Sequence, residues 1–385
     1  MPIRVNPKLI DELEGYGAAD VQNCYHCGNC SAACPFSKEP FTIPRKSMRQ
    51  LQMGLEERLR GNLEPWLCYY CGECSAQCPR GAEPGETMMS LRRWLTSRYD
   101  FTGLARLFYR SWKAELAALV VVSFLTLAGF LLLGFTIGGG DFNVYAGPKA
   151  LFPAHAVHLI DLALAGLLVS VLATNALRMW WFTTGRDATV RPTLWMYAKN
   201  LLLLPYHFLT QARYRQCERK SPWAIHLGIF LGWVTMELLV VLFIETLHQE
   251  QTIWATHAFG YLATLALLFG TGYAIVGRLR QREVHYKHTH PTDWMFLLLV
   301  AGAALTGIMQ HAAYRWLGSD FAANVAYLVH MMLVVPLLSV QIPFGKLSHL
   351  AFRPLAMYLA AVHAEALAAR RPAPEAVLEP ARLPA

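Results

Sequence analysis

The sequence predicts an all-α protein in which a cysteine-rich, all-helical N-terminal module precedes a bundle of six transmembrane helices. Two observations support this fold class. Eight of the nine cysteines fall in two short runs near the N-terminus. The rest of the chain is strongly apolar, since 55% of the 385 residues are hydrophobic, only 16% are charged and mean hydropathy is +0.29. Such a composition is typical of a membrane protein rather than a soluble one.

The two cysteine runs have the same spacing, C-x2-C-x2-C-x3-C-P, with a proline after the fourth cysteine. This run binds [4Fe–4S] clusters in bacterial ferredoxins, where three cysteines ligate one cluster and the fourth ligates the other. The prediction is therefore an N-terminal two-[4Fe–4S] ferredoxin-like module with crossed ligation. Cluster one is assigned to Cys24, Cys27, Cys30 and Cys78. Cluster two is assigned to Cys68, Cys71, Cys74 and Cys34.

Two other uses of cysteine fit this pattern less well. A structural zinc ion needs four ligands, usually as two C-x2-C pairs, and leaves the other four cysteines without a role. Disulfides need an oxidising compartment, and we expect no cleavable signal peptide before the runs. The ninth cysteine, Cys217, lies in a basic loop with no cysteine near it in sequence, so we expect an isolated thiol there.

Helices are predicted between and after the two runs. Apolar residues at helical spacing indicate one helix over 44–61, and a second is expected over 86–98. A helical connection of this length resembles the all-helical ferredoxin modules of succinate dehydrogenase iron–sulfur subunits and of the heterodisulfide reductase C subunits. The first domain is accordingly assigned to residues 1–105.

Six apolar spans follow, each close to the roughly 20 residues that cross a bilayer. They cover about 114–137, 151–177, 223–247, 253–277, 294–317 and 321–344. Lys and Arg are concentrated in alternate loops, so the positive-inside rule puts both termini and the cluster module on the cytoplasmic side of the inner membrane. The net charge of +8 lies in these loops, which argues against a nucleic-acid partner.

Histidines within the spans are candidate haem ligands, because polar side chains inside a membrane are costly and usually functional. A low-spin haem b takes two imidazoles from different helices. His226 begins the third span and His349 follows the sixth, so both lie near the cytoplasmic face and form the natural pair for an inner haem. His330 lies 19 residues before His349, which is ~28 Å along a helix at 1.5 Å per residue. An outer haem could bind there.

The region 151–355 resembles the haem b domain of the nitrate reductase gamma-subunit family. The matching residues are His226-Leu-Gly-Ile-Phe-Leu-Gly, Gly270-Thr-Gly-Tyr, Arg278, Asp293, Thr306-Gly307, His330 and Pro343-Phe-Gly-Lys-Leu-Ser-His349. The resemblance implies that His226 and His349 bind the inner haem and that His330 binds the outer one. The family has another histidine where this chain has Met236. Methionine can ligate haem, although packing is its commoner role, and the outer haem could instead take His158 or His257 opposite His330. The outer haem could also be five-coordinate or absent.

Further polar residues suggest two more sites. His155, His158 and Asp161 share one face of the second span, and His155 and Asp161 are candidates for handling quinol protons. They could instead only hydrogen-bond one another. In the loop after the fourth span, three histidines allow a metal site, although solvated histidines are the commoner arrangement. They are His285, His288 and His290.

Over nearly its whole length the chain resembles the C-subunit family of quinone-interacting membrane-bound oxidoreductase complexes. That family looks like the C and E subunits of heterodisulfide reductase joined in one polypeptide. The resemblance implies a quinone-reactive enzyme subunit that passes electrons between menaquinone or menaquinol, haem b and two [4Fe–4S] clusters. It also implies cytoplasmic flavin and iron–sulfur partner subunits, linked to adenylylsulfate reductase in dissimilatory sulfur metabolism. The remaining domain boundaries are 106–150 for the first span with its connection and 356–385 for a C-terminal tail.

Two alternatives stay open. The chain could be a heterodisulfide reductase-like membrane subunit that serves a thiol–disulfide site on a partner, since it has no CCG motif of its own. It could also be a membrane redox sensor or anchor without turnover. Quinol-dependent reduction of haem distinguishes the electron-transfer subunit from the anchor.

Overall fold

The computed structural model describes residues 4–18, 20–136, 154–248 and 253–370, and for the helical residues 154–158 and 244–248 it describes the backbone alone. Within these ranges the regular secondary structure is helical, apart from one isolated β-bridge between Lys38 and Phe41. The N-terminal module has eight helices: Leu9–Glu14 (α1), Asn29–Ala32 (α2), Arg45–Gln52 (α3), Glu56–Arg60 (α4), Glu64–Leu67 (α5), Glu73–Ala76 (α6), Pro84–Tyr99 (α7) and Leu104–Arg110 (α8). The helices that follow are Trp112–Thr136 (α9), Ala154–Trp180 (α10), Leu194–Asn200 (α11), Leu203–Thr210 (α12), Ser221–His248 (α13), Trp254–Arg280 (α14), Val284–Lys287 (α15), Pro291–Arg315 (α16), Asp320–Pro336 (α17), Ile342–Phe344 (α18) and His349–Ala368 (α19).

Six segments in the described ranges are long and apolar enough to cross a membrane. They are Trp112–Thr136, Leu159–Gly185, Ser221–Phe243, Trp254–Arg280, Pro291–Arg315 and Asp320–Phe344. Large apolar side chains such as Phe124, Leu132 and Leu265 are at least 60% exposed on their outer faces, as expected of lipid-facing positions. The predicted fold class is therefore confirmed: an all-α chain with an N-terminal cysteine module and six membrane-type helices.

The helix predicted over 44–61 is wrong in one respect, because the structure divides it into α3 and α4. Gly54 lies between them with φ of +65°, a left-handed conformation that ends the first helix. Its carbonyl accepts a 2.8 Å hydrogen bond from the Asn6 backbone N–H, so the N-terminal segment holds the turn in place. The apolar stripe persists across the break, since Met48 and Leu59 are both 1% exposed.

The last helix, α19, joins the N-terminal module to the membrane bundle. Residues assigned to a tail from position 356 onward continue this helix to Ala368, and many of them are buried. Phe352 packs between Trp66 and Tyr99 of the module, with ring centroids 5.1 Å and 5.6 Å away. Fully burying an aromatic side chain of this size contributes roughly 1.5–3 kcal/mol. The module therefore packs against the membrane domain through a shared apolar core.

Candidate iron–sulfur and haem sites

The eight cysteines of the two runs line two separate cavities. One cavity, here called cavity one, is lined by Cys24, Cys27, Cys30 and Cys78. The other, cavity two, is lined by Cys34, Cys68, Cys71 and Cys74. Each run thus contributes three cysteines to one cavity and its fourth to the other. This is the grouping that crossed ligation of two clusters requires.

The two runs bend around their cavities with the same backbone conformation. Gly28 and Gly72 have φ of +94° and +86°, and each begins the short helix that carries the third cysteine. The residue before the second cysteine is also left-handed, with φ of +58° at His26 and +57° at Tyr70. A side chain is disfavoured at such glycines, which explains the glycine after the second cysteine of each run.

The donors present suit iron–sulfur clusters. Backbone N–H groups point at cysteine sulfurs, from His26 to Cys24 at 3.5 Å and from Tyr70 to Cys68 at 3.3 Å. Burial and the neighbouring Cys68 raise the pKa of the Cys34 thiol to about 12. Burial also raises the pKa of the Cys74 thiol, so these two thiols favour ionisation only beside a compensating cation, which the iron ions of a cluster would provide.

Cavity two lies against the membrane domain. Two arginines, Arg92 and Arg353, donate hydrogen bonds to the Cys68 carbonyl. The Arg353 guanidinium also lies 3.9 Å from the ring centroid of Tyr69, which is 9% exposed. Burial and the charge of Arg353 lower the pKa of Arg92 to about 10, which leaves it a cation at pH 7. The surroundings of cavity two are therefore buried and positively charged.

Cavity one faces outward. Cys27 is exposed, and Tyr25 beside it is 70% exposed. Arg45 and Arg80 are exposed residues of its lining, and the Arg80 guanidinium lies 4.3 Å from the ring centroid of Tyr25. A redox group in this cavity could exchange electrons with a molecule that docks from outside.

His226 and His349 face each other at the base of the bundle, with ring centroids 6.1 Å apart. Their Nδ1 atoms are occupied, by Gln211 Oε1 at 2.7 Å for His226 and by the Lys346 carbonyl for His349. Both partners are acceptors, so each Nδ1 carries the proton and each Nε2 is free to ligate. Two imidazoles at this separation leave room for one metal ion between their Nε2 atoms, so this pair could hold a haem iron, which would supply one-electron chemistry.

Aromatic rings connect this histidine pair to cavity two. Tyr214 lies 5.9 Å from His226 and is stacked on Tyr69 at 4.7 Å, centroid to centroid. Tyr69 belongs to the second cysteine run and lines cavity two. The histidines and cysteines were predicted from sequence patterns, whereas Tyr214 was missed because a loop tyrosine carries no motif that marks it.

Buried charges connect the same two regions by a second route. Tyr70 donates to Glu86 at 2.8 Å, and Glu86 pairs with Arg93 at 3.0 Å. Arg93 pairs with Asp293 of α16 at 3.2 Å, and Asp293 also pairs with Lys346. Asp293 was identified in the sequence through resemblance alone, and its two cationic partners were missed because they lie far away in sequence.

His330 is also arranged to use its Nε2 atom. The Thr306 hydroxyl donates to the Gly302 carbonyl at 2.7 Å and is 3.0 Å from His330 Nδ1, so it accepts the Nδ1 proton. Met236 packs in an apolar cluster of the bundle that includes Leu267. His330 therefore has the tautomer of a metal ligand, while these contacts do not identify a second ligand opposite it.

The other candidate histidines are dispersed. His257 lies 5.2 Å from His311, whose Nε2 is 2.7 Å from the Tyr261 hydroxyl. The side chains of His155 and His158 are outside the described residues. Asp161 is half-buried on α10 and close enough to Glu237 of α13 for their charges to interact.

The three histidines of the loop after the fourth span have different partners. His285 pairs with Glu283 at 3.3 Å, and His288 pairs with Glu83 at 3.8 Å. His290 caps α16 through the Thr292 backbone N–H. Each histidine thus has a structural role, and these contacts do not gather the three into one metal site.

Cys217 is not the isolated thiol that the sequence suggests. It is 1% exposed, and its sulfur, the Cys71 sulfur and a Glu73 carboxylate oxygen lie within 4.8 Å of one another. The expectation was wrong because the loop before α13 folds back onto the second cysteine run. No sequence pattern signals this approach.

Comparisons with known proteins bear on the N-terminal module. Residues 20–82 match the family model described as 4Fe-4S dicluster domain. The chain is 32% identical over 71 residues to the iron–sulfur C subunit of the CoB–CoM heterodisulfide reductase of Methanopyrus kandleri, an alignment covering 16% of this chain. The chain spans 37% of the length of that curated relative. No solved structure matches this chain. The protein therefore contains an iron–sulfur electron-transfer domain of the two-cluster type, joined to six membrane-type helices.

Proposed function

We propose that this protein is the quinone-reactive, electron-transferring subunit of a membrane oxidoreductase complex. It passes electrons between menaquinone or menaquinol, haem b and two [4Fe–4S] clusters to cytoplasmic flavin and iron–sulfur partners. The sequence resemblance favours a partner linked to adenylylsulfate reductase in dissimilatory sulfur metabolism. The observation that carries the proposal is the continuous contact from the His226/His349 pair through Tyr214 and Tyr69 to cavity two.

The two cavities and the histidine tautomers support the following assignment of residues to each group. Cluster one takes the cysteines of cavity one, and cluster two takes those of cavity two. The inner haem b takes the Nε2 atoms of His226 and His349, and the outer haem takes His330 with His158 or His257. When bound, these groups supply one-electron transfer. The chain supplies their ligands, their spacing and a packed, low-dielectric surrounding.

The two domains carry different groups of the proposed electron-transfer path. The membrane domain, residues 151–355, carries the haem ligands, and the module, residues 1–105, carries the clusters. Positive loops put the module in the cytoplasm, with cavity two toward the membrane and cavity one toward the partner subunits. The exposed Tyr25, Arg45 and Arg80 around cavity one suit a partner whose docking face is acidic.

Oxidation of a quinol releases protons as well as electrons. His155 and Asp161 are proposed to accept them near the outer haem. Asp161 has Glu237 within range on the adjacent helix, and paired carboxylic groups inside a membrane are typical of proton transfer. The reverse direction, quinone reduction, uses the same groups.

A second function is favoured by one observation, the similarity to a heterodisulfide reductase subunit over part of the module. In that case the chain serves a thiol–disulfide site on a partner, and cavity one delivers electrons to it. Disulfide-dependent oxidation of the reduced complex would separate this function from one that depends on adenylylsulfate.

The test is a haem and iron assay of the purified protein with a reduced-minus-oxidised spectrum and quinol as reductant. We expect two b haems, about eight irons per chain and quinol-dependent haem reduction. His349→Ala should lose the inner haem and keep both clusters, whereas the matched control His288→Ala should keep every cofactor. Full haem content in His349→Ala would refute the ligand assignment, and a wild-type protein without haem would refute the quinone-reactive function.

A further inference from the structure

Cys217 comes from the membrane domain but lies next to the second cysteine run. It precedes α13, and it is almost fully buried beside Cys71 and Glu73. Cys71 lines cavity two with three other cysteines, whereas Cys217 is not part of that lining. The Cys217 sulfur therefore lies behind a proposed cluster ligand rather than among the four ligands.

The loop that carries Cys217 is held on both sides. On one side, the Tyr214 ring is stacked on Tyr69. On the other, the backbone N–H of Glu218 donates to Glu73 Oε1 at 2.9 Å. Both contacts are made to the second cysteine run, so they fix the position of the Cys217 sulfur relative to Cys71.

Lys220 strengthens this arrangement from within the loop. Its Nζ atom donates to the Cys217 carbonyl at 2.7 Å and to the Arg215 carbonyl at 2.7 Å. Arg219 pairs with Glu283 at 2.8 Å, which ties the loop to the segment after α14. These contacts hold the backbone of the loop, so the buried Cys217 side chain is kept beside Cys71.

A neutral thiol in this place has one proton to donate, and two groups that can accept it lie within 4.8 Å of its sulfur. One acceptor is the Cys71 sulfur, and the other is the Glu73 carboxylate, which already accepts from Glu218. Hydrogen bonds to the cysteine sulfurs of an iron–sulfur cluster stabilise its reduced, more negative state and so raise its reduction potential. A donor from the membrane domain can thus set the potential of a cluster in the module.

We propose that Cys217 is a positioning residue of cluster two, whose S–H group donates a hydrogen bond to Cys71 Sγ and raises the reduction potential of cluster two relative to cluster one. This inference rests on the proposed function, because it requires cluster two to be bound. It adds a fifth cysteine to the surroundings of that cluster, and cluster one has no described counterpart in the cavity-one lining.

The experiment compares Cys217→Ala and Cys217→Ser in the full-length protein with its clusters, by redox titration followed by EPR. Alanine and serine differ mainly by one hydroxyl donor, so they form a matched pair. We expect Cys217→Ala to change the oxidised-to-reduced ratio of cluster two by up to about tenfold at the wild-type midpoint, a downward shift of ~59 mV for one electron. Serine should restore more than half of the shift. Cluster one is the internal control and should not move.

Three results would overturn the inference. They are an unmoved cluster-two potential in Cys217→Ala, an equal shift in the alanine and serine variants, and loss of iron from both Cys217→Ala and Cys217→Val, which would make Cys217 a ligand. If alanine prevents assembly, Cys217→Val fills the volume without a donor and should give the same shift. A wild-type protein lacking two [4Fe–4S] signals would refute the proposed function instead, so the two failures are distinguishable.

Discussion

The two cysteine runs have the same spacing and backbone conformation, yet their surroundings are opposite. Tyr25 of the first run is 70% exposed, whereas Tyr69 at the equivalent position of the second run is 9% exposed. The Cys24 carbonyl accepts from the neutral Gln52 side chain at 3.1 Å, but the Cys68 carbonyl accepts from two arginines. The same motif therefore lies in two different environments: the second run faces the membrane domain, and the first run faces solvent.

This difference explains why the second run is tied to the membrane domain so heavily. Aromatic stacking, buried ion pairs and the Cys217 loop all meet near cavity two. Electron transfer between two groups needs a fixed short separation, and a rigid interface supplies it. Under the proposed function cavity one needs an accessible surface instead, because a partner would dock there.

The largest expected effect tests whether the fourth cysteine of each run ligates the cluster of the other run. Cys34→Ser should damage cluster two alone, and Cys78→Ser should damage cluster one alone, each removing up to about half of the iron. Iron analysis gives the loss, and access of a hydrophilic chelator identifies the survivor. The cluster that survives in Cys34→Ser should react quickly, since cavity one is exposed, and the survivor in Cys78→Ser slowly. The reverse order of reactivity would mean that each run ligates its own cluster.

The next effect concerns the buried charges beside the second run. Asp293→Asn leaves Arg93 and Lys346 facing each other without their shared carboxylate. Removing one partner of a buried ion pair typically costs about 3–5 kcal/mol of unfolding free energy. Unfolding in detergent, followed by helical circular dichroism, measures this cost.

The matched control for Asp293→Asn is an exposed ion pair between the same two domains. Glu57 and Arg186 are 3.4 Å apart and about half exposed. Glu57→Gln should cost about 0–1 kcal/mol, as surface pairs do. Equal costs for the two variants would show that the buried charges do not hold the module on the membrane domain.

The sequence predicted the parts of the site that carry local patterns. Cysteine spacing predicted the two groups of four cysteines that line the two cavities, and apolar length predicted the six spans, five of them within a few residues. His226 and His349 were paired from their positions at span ends, although only a tertiary structure brings their rings within 6.1 Å. These features depend on short segments, which a sequence records directly.

What the sequence did not reveal depends on contacts between distant segments. Tyr214, Arg353 and Cys217 are separated from the second run by membrane spans, and no motif marks them. The helix break at Gly54 was missed because its cause, the hydrogen bond from Asn6, is also non-local. The helical continuation past 355 was missed because alanine-rich segments suit both a buried helix and a solvated tail.

The helix beneath the second run should make stability depend on pH. His363 of α19 is 6% exposed, and its Nε2 is 2.8 Å from the Thr184 hydroxyl. Burial lowers the pKa of His363 from 6.5 to about 4, so the unfolded chain binds the proton more readily. Its stabilising contribution is complete above pH 6.5 and is lost as pH falls toward 4. We expect His363 to account for about 2 kcal/mol of the stability lost between pH 7.5 and pH 5, so the loss should be smaller by about that amount in His363→Gln; an unchanged loss in that variant would contradict the assignment.

The smallest effect tests the solvent-facing role of cavity one. Arg80→Glu reverses a charge beside Tyr25 and should slow oxidation of the reduced protein by the anion ferricyanide about fivefold at low salt, with less effect at high salt. The cation hexaammineruthenium(III) should respond in the opposite direction, which excludes a general loss of activity.

Arg58→Glu makes the same charge change at an exposed position of α4 outside both cavity linings and is the control. Stopped-flow absorbance measures all four rates. Equal slowing in the two variants would mean that electrons leave by another face, because only a local exit makes one arginine matter more than the other.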